Sequence, residues 1–130
     1  MSANTTSPPR PSDSELAILQ VLWEQGACTV RQVHEALQRD TGYTTVMKLM
    51  QIMAEKGLVE RDEENRAHLY HAAVKQDLIE KGIVRRVLES AFAGSAARLA
   101  MRALSTKKPT AEELAELRGL LDSLEKGGRS

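Results

Sequence analysis

The hydrophobic period of this chain changes twice, and nothing else in the sequence constrains its fold as strongly. Apolar residues recur at helical spacing up to Gly57, turn to short extended runs between Leu58 and His71, and return to helical spacing after Val74. A stripe of period 3.6 cannot be buried by a strand, nor a period of 2 by a helix. The pattern predicts three helices, one hairpin, then three more helices.

Local signals punctuate those segments. Residues 1–12 are Pro, Ser and Thr with little to bury, and are expected to form a disordered arm. Ser12 with Glu15 fits a capping box and opens a helix to about Gln25, with Leu16, Ile18, Leu19, Leu22 and Trp23 apolar and Gly26 as a left-handed stop. After the short extended piece Ala27-Cys28, Thr29 with Gln32 opens a second helix to about Arg39, carrying Val30, Val33, Ala36 and Leu37. Asp40-Thr41-Gly42 is turn chemistry. A third helix runs from about Tyr43 to Lys56, ends at Gly57 and turns Val46, Leu49, Met50 and Met53 inward. Leu58 to Asp62 and Ala67 to His71 then read as a hairpin joined by Glu63-Glu64-Asn65-Arg66.

The second half is helical and poor in bulk. A helix from about Lys75 to Phe92 would bury Leu78, Ile79, Ile83, Val87 and Ala91, and Gly94 would stop it. Ser95 caps a short helix with Leu99, Ala100, Ala103 and Leu104. Thr110 with Glu113 opens the last helix, whose Leu114, Leu117, Leu121 and Leu124 form a narrow seam suited to another helix. With aromatics at 3%, this tail is better placed to bury its face against a second copy than alone. The expected fold class is mainly α with a small β-hairpin: a winged helix-turn-helix domain over 13–73, followed by a helical dimerisation segment over 74–130. Ile83, Val87, Leu99, Leu114, Leu117, Leu121 and Leu124 are the expected dimer contacts.

Bulk charge is silent on function. The chain is neutral, but residues 1–72 hold 7 Lys/Arg against 10 Asp/Glu, and the remainder reverses that balance. Any nucleic-acid surface must be local. No apolar run is long enough to span a membrane, the first residues lack a signal-peptide core, and the lone Cys28 cannot pair within the chain. A soluble protein of the reducing cytoplasm is expected, with Cys28 a small buried filler.

Opposite the apolar stripe of the third helix stand Thr44, Lys48 and Gln51. No acidic residue occurs from Thr41 to Ala54, and Lys48 is the single charge there. Such a face can donate to phosphate oxygens or base edges without repelling them, although a plain solvent-facing surface has the same pattern. Arg31 opens the second helix, Arg61 and Arg66 sit on the hairpin, and Arg10 lies in the arm. Asp62, Glu63 and Glu64 make the hairpin tip acidic. His34, His68 and His71 lack partners at ligand spacing, so no metal and no cofactor is expected. There is no nucleophile elbow and no glycine-rich phosphate loop, so an enzyme is not expected.

The run Glu15-Leu16-Ala17-Ile18-Leu19-Gln20-Val21-Leu22-Trp23-Glu24 resembles the first helix of the penicillinase-repressor family, the BlaI/MecI group of winged-helix regulators, with copper-responsive relatives. So do Thr29-Val30-Arg31-Gln32-Val33-His34, Tyr43-Thr44-Thr45-Val46, Glu55-Lys56-Gly57-Leu58-Val59, Arg66-Ala67-His68-Leu69-Tyr70, Phe92-Ala93-Gly94-Ser95 and Glu112-Glu113-Leu114-Ala115-Glu116-Leu117, all in order. The resemblance implies a homodimeric bacterial repressor on an inverted-repeat operator, with Tyr43, Thr44, Thr45 and Lys48 at double-stranded DNA. It also implies relief by a membrane sensor metalloprotease cutting near Arg102-Ala103, where the Asn-Phe pair of the best-known members is missing. With Cys28 alone, the copper-sensing cysteine cluster of other relatives is absent. Two further readings remain open on sequence: a winged-helix protein-interaction module that binds no DNA, and a regulator gated by a small ligand.

Overall fold

A computed structural model describes residues 10–37, 41–63 and 68–127. Most of the expected arm, the end of the second helix and the hairpin tip with Arg66 lie outside those residues. The elements are α1 (Asp13–Gln25), α2 (Val30–Leu37), α3 (Tyr43–Lys56), β1 (Val59–Asp62), β2 (Leu69–Ala72), α4 (Gln76–Ala91), α5 (Ala96–Thr106) and α6 (Ala111–Gly127). The chain divides into two compact units, Met1–Ile83 and Val84–Ser130.

The first unit is a winged helix. Both expected caps form: the Ser12 hydroxyl accepts from the Glu15 N–H while the Glu15 carboxylate accepts from the Ser12 N–H, and Thr29 and Gln32 exchange the same pair of bonds. Gly57 closes α3 in the left-handed conformation at φ 86°. Gly26 closes α1 differently from expectation: its φ is 84° but its ψ is −158°, an extended mirror-region geometry that sends the chain straight into Cys28. Cys28 then exchanges two backbone hydrogen bonds with Tyr70, at 2.9 and 2.8 Å, as a one-residue edge to the hairpin.

The hairpin is antiparallel, with Val59 opposite Ala72 and Arg61 opposite Tyr70. Its second strand begins at Leu69, within the extended run expected from Ala67. Ile18, Leu19, Leu22, Cys28, Val33, Val46, Met50, Met53, Leu58, Val59 and Tyr70 make one buried cluster, with Leu49 and Trp23 half-buried against it. The Trp23 indole N–H donates to the Val74 carbonyl at 3.0 Å, pinning the exit of the hairpin onto α1.

The burial expected along α4 is found only in part. Ile79 is buried, Ile83 and Val87 are half-buried, and Leu78 and Ala91 are exposed. In the second unit Ser95 caps α5 and Thr110 with Glu113 caps α6, yet neither helix buries a single residue.

Candidate nucleic-acid interface

The turn from α2 into α3 is set by a histidine. His34 Nε2 lies 3.0 Å from the Thr41 carbonyl oxygen, and since a carbonyl can only accept, that nitrogen carries the proton. The His34 ring also meets Tyr43 edge-on, with centroids 6.0 Å apart. His34 therefore orients Tyr43, the first residue of α3, which is 43% exposed. Gly42 offers no side chain to cap the helix, so the first N–H groups of α3 are left without a side-chain partner.

Beyond that turn, the buried stripe of Val46, Met50 and Met53 fixes which way α3 faces. Thr44, Lys48 and Gln51 are all exposed. Tyr43, Met47 and Gln51 line a groove whose other walls are Thr29, Val30 and Arg31 at the start of α2 and Arg61, His68 and Tyr70 on the hairpin. The fold thus brings the third helix, the positive end of the second and the wing strand around one channel. Met47 belongs to it by its spacing of four from Tyr43, a signal that helical geometry alone contains.

Thr45 does not share that channel. It is exposed, but lines a different groove with Asp13, Ser14 and Ala17 of α1 and Leu37 of α2. Arg66 is outside the described residues, and Arg10 is exposed.

The wing carries its own charge pairing. The Arg61 guanidinium sits 2.7 Å from Glu63, and this contact, ahead of that with Tyr70, raises the already high guanidinium pKa. The same hydrogen bond holds the Glu63 carboxyl below the usual range. On the other face of the hairpin His71 Nε2 lies 3.1 Å from Glu60. Cys28 is buried and its thiol is pushed up by that burial, which is the reverse of what a reactive thiolate needs. Among the described residues, no three His, Cys, Asp or Glu gather as metal ligands, and no helix is long and apolar enough to cross a membrane.

In the second unit, of the expected dimer contacts, Ile83 at the boundary and then Val87, Leu99, Leu114 and Leu117 are half-buried, whereas Leu121 and Leu124 are about 60% exposed. Arg102 and Ala103 are exposed within α5.

Residues 11–123 match the family model of the penicillinase repressor. Transcriptional regulator BlaI of Mycobacterium tuberculosis is 38% identical over 121 residues, covering 91% of this chain and 87% of its own length. Methicillin resistance regulatory protein MecI of Staphylococcus aureus is 20% identical over 113 residues, covering 85% and 92% respectively. A match across nearly all of the chain, on a winged helix with these caps and this core, settles the classification: the chain belongs to the penicillinase-repressor family.

Proposed function

We propose that this protein is a transcriptional repressor that binds an inverted-repeat operator in double-stranded DNA as a homodimer, in the cytoplasm. The observation that carries the reading is the α3 face: Thr44, Lys48 and Gln51 are exposed, no carboxylate interrupts the helix before Glu55, and Arg31 and Arg61 border the groove beside it. Its similarity to regulators named BlaI and MecI supports the same reading.

In this account Tyr43, Thr44, Lys48 and Gln51 meet base edges and phosphates in the major groove, and Arg31 meets the backbone from the start of α2. Thr45 would touch DNA from the α1 side of the helix. Arg66 would extend the contact from the wing. Two such domains spaced by about 34 Å, one DNA turn, or a multiple of it, would read the two half-sites together. The leucine face of α6, joined by Ile83, Val87 and Leu99, would hold the two copies. A cut near Arg102-Ala103 by a membrane sensor metalloprotease would separate that seam from the DNA-binding domain. Because the two residues stand inside α5, the protease would first have to unwind that helix.

A mobility shift on the DNA upstream of its own gene tests the reading. Lys48→Ala should weaken binding roughly tenfold and flatten the salt dependence by about one counterion, with Thr44→Ala adding to it. Full affinity in both single variants and the double variant would remove the α3 face from the assignment. A protein-interaction module would instead leave the duplex untouched at low salt.

A further inference from the structure

The groove beside α3 contains one cation that the free protein has already neutralised. Arg61 is fixed on β1 by its register with Tyr70 and borders the groove with Tyr43, Met47 and Gln51. Its guanidinium is bound to Glu63 at 2.7 Å, with side-chain exposures of 36% and 69%. Glu63 lies one residue beyond β1 and, with Arg61, Gln51, Glu60 and Tyr70, lines an adjoining groove of the wing. Glu60 and Asp62 occupy the alternate positions, and Glu60 is engaged with His71. Among the described residues, the other titratable groups that line the groove with Tyr43 and Met47 are Arg31, His68 and Tyr70, and the carboxylates beside Arg61, Glu60 and Glu63, line the adjoining one.

We propose that Glu63 is an electrostatic brake on DNA binding, holding Arg61 in the free protein and surrendering it to a backbone phosphate in the complex. The inference rests on the DNA-binding reading above. An exposed carboxylate–guanidinium pair is weakly held in water, so a phosphate can displace it. The duplex also gains by releasing condensed counterions for each phosphate that a cation neutralises. After the exchange Glu63 is left within a Debye length, about 8–10 Å, of the phosphate it now faces, with no cation of its own. Affinity is therefore held below what the same wing would reach without that carboxylate. Such a brake acts on every duplex alike, because phosphates carry no sequence information. It weakens binding to random DNA as much as to the operator, and so leaves discrimination to α3.

The test uses the full chain, the variants Glu63→Gln, Arg61→Ala and the double variant, and two duplexes of equal length. One duplex carries the sequence upstream of the protein's own gene and the other a random sequence, each titrated over a range of salt. Glu63→Gln keeps a carbonyl oxygen for the guanidinium and removes the charge. It should bind both duplexes about three- to tenfold more tightly at low salt, with a salt dependence steeper by about one counterion. In the Arg61→Ala background the gain should largely vanish. Unchanged or weaker binding by Glu63→Gln would overturn the brake, as would a gain that persists undiminished without Arg61. If the wild-type chain ignored both duplexes, the DNA-binding reading itself would fall and the brake with it. Wild-type binding with an inert Glu63→Gln would sink the brake alone.

Discussion

Glu15 lies one turn before Ile18 and Leu19 on the buried face of α1, and although it is a carboxylate it is 2% exposed. Beyond its capping bonds to Ser12, it receives the Lys56 ammonium at 2.8 Å, across 41 positions of sequence. Burial by itself would raise its pKa, but the Lys56 hydrogen bond and charge together with the Ser12 bonds outweigh that and lower it. A carboxylate whose folded pKa is depressed contributes stability that is present above its unfolded value and is lost as pH falls through the folded one. Glu15 should therefore support the fold in full at neutral pH, begin to lose that support as pH falls below about 4.3, the ordinary glutamate value, and lose the rest as pH falls through its lower folded value. Lys56→Met keeps the stem and removes the charge. Removing one partner of a fully buried pair costs about 3–5 kcal/mol, and the 42% exposure of Lys56 reduces this to about 1–2 kcal/mol. Urea unfolding at pH 7 and at about pH 2.5, below the ordinary glutamate range, should show that loss at pH 7 and a smaller one at the acid pH. An equal loss at both would mean that the pair's charge contributes nothing.

At the scale of elements, α3 is legible because all of its determinants are local. Its stripe of Val46, Met50 and Met53 is periodic, and Gly57 ends it with the one backbone conformation that favours glycine. No atom lies within 4 Å of the place where a Cβ would stand on Gly57, so Gly57→Ala tests conformation without a clash. It should cost about 1–2 kcal/mol in thermal or urea unfolding. A neutral result would mean that the turn into β1 relaxes freely. The hairpin was readable as a pair of extended runs, but its register was not, since register depends on which residues α1 and α3 leave room to bury. Arg61 reaches the α3 groove through that register, and its engagement with Glu63 could not be read from composition.

For the whole molecule, the unsatisfied surface is concentrated in the second unit. Met101 on α5 and Leu120, Leu121 and Leu124 on α6 are all more than half exposed. Apolar side chains left in water forgo about 25 cal/mol for each Å² that a partner would cover, so these residues are where the proposed dimer would place its seam. Replacing Leu121 and Leu124 together by Lys should shift the protein toward monomer in analytical ultracentrifugation. Operator affinity should fall by about a hundredfold or more as the second contact loses its effective concentration, while the circular dichroism of the first unit is kept. An undiminished dimer would place the seam elsewhere.

The sequence by itself determined the order of elements, the three capping boxes, the core stripes of α1 to α3 and the polar face of α3. Each depends on residues within a turn or two of one another, where spacing is already geometry. Tertiary structure alone decided that Glu15 is paired with Lys56, that His34 orients Tyr43, that Arg61 shares a groove with Gln51 while Thr45 does not, and that most residues of α4 to α6 are exposed. Those outcomes depend on which surfaces meet, and that is settled by the packing of distant segments rather than by any local pattern.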